Sequence, residues 1–406
     1  MTSGAAHSAY RLTTSLPPHT VGRPGYRRPV IPATAWPWSP PMTDQRAWVA
    51  ASDDPGARWA LLTGVLDLTD DAADVTAARA EMLAHPSTAD LLDRLQPWDS
   101  GAAVSGHNSP AYAPNLLNLL ADRGLRAGDD ARVDALLEQM LAHQEPSGRF
   151  PAYAPFRGDE QPVWGAQLCD HHAILDVLIR YGHGEDPRVR AGVDRMMADL
   201  TETTQGRAWP CLPHPVTGFR GPGRKAEMCP QVAVEALRAL GRLPEGRRPP
   251  GLLDVGHVLL GVWRARGAAK PYMFGHGKTF KTTKWPVTWY GAHEVLDALG
   301  RYPHLWSGPD ADPEDRRSMA ELAACLIAYN ADDNGRVVPR SVFRGFETHS
   351  FGQKKQPSAF ATAMLLTVLH RLDDLAPDAA TVDVTALTSS KGGTGTALPP
   401  PGVVGR

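Results

Sequence analysis

The chain has 406 residues, 42 Lys+Arg against 44 Asp+Glu, a formal net charge of −2 and 42% hydrophobic residues. That balance offers no basic excess for nucleic acid, and no run approaches the ~20 apolar residues of a membrane span. Four cysteines (Cys169, Cys211, Cys229 and Cys325) follow a start, "MTSGAAHSAYRLTTSLPPHT", with no signal-like apolar core, which points to a cytoplasmic setting and free or metal-bound thiols.

Residues 1–45 are rich in Pro, Arg, Ser and Thr, and "PATAWPWSPPM" cannot be helical, so this segment is expected to be disordered. The folded body is expected over 46–375 as one domain. The Gly/Pro/Ser-rich tail 376–406 has no periodicity and is expected to be disordered.

The body repeats. "NLLNLLADRG" (115–124), "AILDVLIRYG" (173–182), "AVEALRALGRLP" (233–244), "EVLDALGRYP" (294–303) and "MLLTVLHRL" (364–372) are apolar helical runs with one polar residue in register: Asn118, Asp176, Glu235, Asp297 and Thr367. "ALLTGVL" near Thr63 is a degenerate sixth copy. The spacing is roughly 60 residues, lengthening at the last step, which suits a helix pair with a long loop. A second, more charged helix follows each of the first four, starting near Gly128, Glu185, Pro249 and Pro313. Pro187, Pro250 and Pro313 stand where only a first turn tolerates proline. Apolar first helices and amphipathic second helices describe an inner and an outer ring. No convincing period-2 strand occurs. The expected fold is all-α, an α/α toroid of about five to six helix pairs; open solenoids usually have shorter repeats.

"QEPSGRF", with Gln144, Gly148 and Phe150, resembles the Q-x-x-x-G-x-[W/F] repeat of squalene–hopene cyclases. The stretch 105–372 resembles the terpenoid cyclase/protein prenyltransferase toroid superfamily. "FRGPGRK", "KWPVTWY" and "FGQKKQPS" resemble bacterial prenyltransferase/squalene-oxidase-repeat, squalene-cyclase-like proteins. The resemblance implies the toroid and a central apolar pocket; it does not imply a particular reaction.

In such a toroid the inner helices all start at one mouth. Three of the segments entering that mouth carry cations: Arg224 and Lys225; Lys278, Lys281 and Lys284; Lys354 and Lys355. Cations at helix N-termini oppose the helix dipole unless an anion offsets them, so these residues are candidates for holding an anionic head group. Asp170, His171 and His172 in "LCDHH" are candidates for proton transfer, as are Tyr290 and His293, three apart on one face. Trp285 and Trp289 are candidates for lining an apolar cavity. Cys211, His214 and Cys229, spaced C-x₂-H-x₁₄-C, offer zinc donors. Lanthionine cyclases on a similar toroid use a Cys/Cys/His zinc site, but their Gly-flanked Cys motifs are absent. Protein farnesyltransferase-like subunits use Asp/Cys/His, and only those residue types recur here.

The D-x-D-D acid of class II terpene cyclases is absent. "DDAAD" (Asp70, Asp71 and Asp74) matches a magnesium motif but lies outside the clear repeats. The expected function is a terpenoid cyclase/prenyltransferase-like enzyme acting on an anionic, isoprenoid-like small molecule by Asp/His proton transfer. The alternatives are a zinc-dependent cyclase or transferase acting on a thiol or peptide, a polysaccharide lyase-like enzyme, and a non-catalytic toroid binding protein.

Overall fold

The computed structural model describes residues 42–99, 106–154, 161–221, 223–266, 274–275, 277–288 and 291–387. Most of them are helical. In chain order the helices are α1 (Met42–Ala50), α2 (Pro55–Gly64), α3 (Ala73–Leu83), α4 (Pro86–Asp93), α5 (Ala113–Asp122), α6 (Ala131–Ala142), α7 (Leu168–Arg180) and α8 (Pro187–Ala198), followed by α9 (Pro230–Gly241), α10 (Leu252–Arg264), α11 (Gly277–Lys281), α12 (Ala292–Leu299), α13 (Pro313–Asn330), α14 (Ala359–His370) and α15 (Ala376–Ala380).

Local chemistry sets their starts. Asp54, Asp130, Asp186, Asp312 and Ser358 cap α2, α6, α8, α13 and α14 by accepting first-turn backbone N–H groups. Pro187 and Pro313 open α8 and α13 as expected. Pro250 instead lies in the turn before α10, whose cap is the left-handed Gly251.

The repeated apolar runs are α5, α7, α9, α12 and α14, with α2 as the sixth. They pack in order: α5 on α7, α7 on α9, α9 on α12, α12 on α14 and α14 on α2. At the start of α2, Asp54 pairs with Arg123 at the end of α5. Beside that pair a Cβ at Gly124 would strike the Trp59 ring at 2.7 Å. The second helices pack on them: α8 on α7, α10 on α9 and α13 on α12. α7 is buried along its whole length except at Cys169 and Arg180, which marks it as a core helix. Each such Leu, Ile or Val contributes about 1.5–3 kcal/mol of burial.

The "QEPSGRF" stretch shows how an inter-helix loop is fixed. Gln144 Nε2 donates to Gly148 O (2.9 Å) and to Arg188 O (2.6 Å), tying the loop to α8. Gly148 has φ +88°, and a Cβ there would press on Ala191 O at 3.0 Å, so both conformation and space require glycine. Phe150 is fully buried beneath it.

Two features differ from the sequence expectation. Short two-residue and three-residue strands decorate the loops: β1 (Ala152–Ala154) with β2 (Val163–Gly165), β3 (Thr201–Thr203) with β4 (Gly206–Ala208), and β5 (Lys284–Trp285) parallel to β6 (Ser341–Val342). They are too short to show a period in the sequence. The described residues also run past both limits expected for the folded body. α1 begins at Met42, and α15 leads into Val382, Val384 and Leu387, which pack on the core. Leu387 O accepts from Lys281 Nζ at 2.8 Å. Residues 1–41 and 388–406 lie outside the described residues.

Candidate functional site

The starts of α5, α7, α9 and α12 bring a set of polar side chains together. Tyr112, the cap residue of α5, donates its O–H to Asp170 Oδ1 at 3.1 Å. Asp170 sits in the first turn of α7 and is 6% exposed. Burial pushes its carboxyl up to about 7, against the Tyr112 hydrogen bond and the Gln167 backbone, which pull it down. Burial likewise raises the Tyr112 phenol and the Cys169 thiol, with Asp170 adding to both. On α9, Gln231 hydrogen-bonds Glu235, and burial lifts that carboxyl well above its ordinary value. At α12, Glu294 Oε2 accepts Gly291 N–H at 3.1 Å, and burial pushes the acid up to about 8. α7, α9 and α12, packed in that order, thus each carry a carboxyl that its surroundings favour in the protonated form.

His171 and His172 take no part in this set. Successive helical residues point about 100° apart, so both rings leave the face that carries Asp170. His171 Nδ1 accepts Phe150 N–H and its Nε2 faces Gly192 O, each at 3.1 Å. His172 Nδ1 faces Val232 O at 3.1 Å, and its ring meets Trp209 edge-on. Burial holds both histidines neutral, His172 down to about 4. They fasten α7 to its neighbours, and among the described residues no hydrogen bond joins either ring to Asp170.

His293 is 5% exposed, and among the described residues neither ring nitrogen meets a hydrogen-bond partner. Its ring lies edge-on to Trp285, which is itself core and also packs against Phe351. His293, Glu294, Thr282, Thr283, Lys284 and Thr288 are among the residues lining a cavity of about 40 Å³, room for one or two waters. Trp289 and Tyr290 lie outside the described residues.

The expected cations each have a local contact or face solvent. Lys281 is buried, with Nζ on Leu387 O and over the Tyr329 ring. Lys284 lies over Phe343, Nζ 3.6 Å from the ring centre. Arg224 pairs with Glu227, and Lys225 is exposed beside it. Lys354 and Lys355 are exposed on a turn whose left-handed Lys355 donates its backbone N–H to Pro339 O. Each cation has a separate local environment.

The zinc donors also regroup. Cys229 donates its S–H to Cys211, which with Arg220 and the Gly221 N–H lowers the Cys211 thiol to about 6. His214 is turned away from them. Its Nδ1 accepts the N–H groups of Val216 (3.3 Å) and Thr217 (3.1 Å), and its Nε2 side fills the space over Gly165. Among the described residues the donors that converge are His107, Cys169 and Asp170, whose ligand atoms lie within 4.8 Å of one another. One nitrogen, one sulfur and one oxygen donor is a set zinc accepts, and three protein ligands leave a position open. Burial lowers His107 to about 4, so its ring is neutral as a ligand must be. His107 belongs to the loop before α5 and Cys169 is adjacent to Asp170. Only the adjacency was visible in sequence.

No protein-family model matches the chain, and no curated protein does. Solved structures similar to it include the type II terpene cyclase MstE from Scytonema, at 13% identity and a TM-score of 0.38, covering 81% of this chain and 88% of that one. A substituted apo form of MstE gives 14% identity, a TM-score of 0.39 and coverage of 81% and 87%. Another substituted form, in complex with geranylgeranyl dihydroxybenzoate, gives 16%, 0.38, and coverage of 79% and 88%.

Proposed function

We propose that the helix pairs close into an α/α toroid and that the protein is a terpenoid cyclase-like enzyme, moving a proton through Asp170 on an isoprenoid-like small molecule. The observation that carries this reading is the buried Tyr112–Asp170 hydrogen bond at 3.1 Å, with Glu235 and Glu294 on the next two inner helices. A carboxyl near pH 7 in its affinity for a proton can both give and take one, and general acid–base catalysis contributes about 10²–10⁴ in rate. Tyr112 orients the acid. Neutral neighbours favour an apolar reacting group over a charged one. The isoprenoid class follows from the sequence resemblance. The test is turnover of a panel of isoprenoid alcohols, acids and prenylated phenols in D₂O, read by mass spectrometry. The wild type should give a product carrying deuterium at carbon, and Asp170→Asn should lower turnover by roughly 10²-fold or more. An Asp170→Asn protein within about threefold of the wild type would sink the reading.

One observation favours a second reading, a zinc-dependent enzyme: the convergence of His107, Cys169 and Asp170. Elemental analysis separates the two. Near one zinc per chain, lost in Cys169→Ala and kept in Cys211→Ala, makes Asp170 a ligand rather than the acid. Less than a tenth of an equivalent, in protein never exposed to chelator, leaves it the acid.

A further inference from the structure

Five arginines meet at the other end of the inner helices. Arg180 ends α7, Arg238 and Arg242 lie at the end of α9, Arg301 follows α12, and Arg371 caps α14. Three aspartates face them. Asp122 pairs with Arg180; Asp176 is shared by Arg238 (2.9 Å) and Arg242 (2.6 Å); Asp297 is shared by Arg301 (3.0 Å) and Arg371. Asn118 bridges Arg180 and Asp176 without adding charge. Glu235 and Glu294 also reach the field of Arg238, but burial keeps them protonated. By direct pairing, five guanidiniums thus share three carboxylates.

The helix C-termini add partial negative charge, which favours arginine at this end. That charge resides on carbonyls and does not satisfy every guanidinium. Among the described residues, Arg301 Nε and Arg371 Nε are buried donors with no acceptor. The side chains are nevertheless reachable: the five arginines keep between 14% and 17% of their side-chain surface open. Two of them have glycine seats. A Cβ at Gly241 would come within 2.7 Å of Arg301 Cδ, and one at Gly300 within 3.4 Å of Arg371 Nε.

We infer that this arginine group binds a small polyvalent oxyanion, of the phosphate, diphosphate or sulfate kind, bridging the guanidiniums that share Asp176 and Asp297. Planar guanidiniums offer paired N–H donors that match such oxygens. The site deepens the proposed function by giving an anionic substrate group an anchor near Asp176, roughly 9 Å along α7 from Asp170, and it rests on that reading only for the anion being the substrate's.

Inorganic pyrophosphate titrated into the full chain at low salt is the test. The thermal midpoint should rise saturably by about 3 °C or more, beyond a sodium chloride control of equal ionic strength. Arg301→Gln and Arg371→Gln each leave Asp297 one partner, and each should raise the half-saturating concentration at least about tenfold. Should a variant not fold, pyrophosphate should still slow phenylglyoxal labelling of wild-type Arg301 and Arg371 while leaving the exposed Arg224 and Arg317 unchanged. Tighter binding of dodecyl phosphate than of pyrophosphate assigns the anion to the head group of an apolar molecule; weaker binding assigns it to a free ion. No shift beyond the salt control, or a shift that survives both substitutions, overturns the inference. None of these readouts needs turnover. Failure here leaves the role of Asp170 standing, and an active Asp170→Asn protein leaves the anion site standing.

Discussion

Asp176→Asn should destabilise the protein by about 3–5 kcal/mol, the range for breaking a buried ion pair from one side. Asp176 has a side chain with no exposed surface and accepts from Asn118 Nδ2, Arg238 Nε and Arg242 Nε. Burial works against its charge, but Arg238 and Arg242 outweigh that and hold its carboxyl far below the ordinary range. Asparagine keeps the shape and loses the charge, leaving two guanidiniums without their shared carboxylate. The measurement is the urea midpoint at pH 7, with the slope compared to confirm a two-state change. Arg242→Gln added to Asp176→Asn should recover part of the loss, because one uncompensated charge goes with it. A loss under about 1 kcal/mol would mean that solvent reaches and screens the group. The sign of the pH dependence also follows. The folded carboxyl is depressed, so its contribution is present above the unfolded value of 3.8 and disappears as pH falls through the folded value.

Asp176 also shows how far the sequence could be read. Its place in a polar register with Asn118, Glu235, Asp297 and Thr367 was visible, and all five helices formed where the apolar runs lie. The meaning of the register was not visible, because it depends on which side chains meet between neighbouring helices. Arg180, Arg301 and Arg371 each follow a register position by four residues, one helical turn. That recurrence could have been found from sequence. Lysines drew attention because they stand at helix starts, where the dipole disfavours them. The structure gives those lysines local partners or solvent, and the cations that gather do so at helix ends, where the dipole favours them. Asp170 was legible as a polar residue on an apolar helix. Its partners were not: Tyr112 and His107 come from another repeat. The histidines next to it misled for a local reason, since adjacent helical residues face different neighbours. Cys211 and Cys229 do meet, but His214 turns its ring nitrogens to its own loop and Gly165, a geometry no spacing rule contains.

Glu294→Gln is expected to stabilise the protein increasingly as pH rises, by about 4 kcal/mol more at pH 8 than at pH 5. Glu294 is 6% exposed, and burial raises its carboxyl to about 8, against Arg238 and the Gly291 N–H, which lower it. In the unfolded chain the group ionises near 4.5. Between these values the unfolded state releases a proton that the folded state keeps, so stability falls with pH. The contribution is complete below 4.5 and lost by the time pH passes 8. Glutamine still accepts Gly291 N–H and never ionises, so the variant lacks this slope. Histidines act in the opposite sense over a lower window: His107 and His172, both lowered to about 4, add stability as pH rises towards 6.5. Above pH 6.5 the histidine contribution is complete, and the raised acids make the wild-type stability decline there. Urea midpoints of both proteins at pH 5, 6.5 and 8 isolate the Glu294 part as their difference. Parallel curves would show that Glu294 is ionised in the native state, and the picture of protonated acids along the inner helices would fail with it. A diverging pair would show that the fold gives up stability at neutral pH to keep a carboxyl neutral beside the Asp170 site, a cost a purely structural glutamine would avoid.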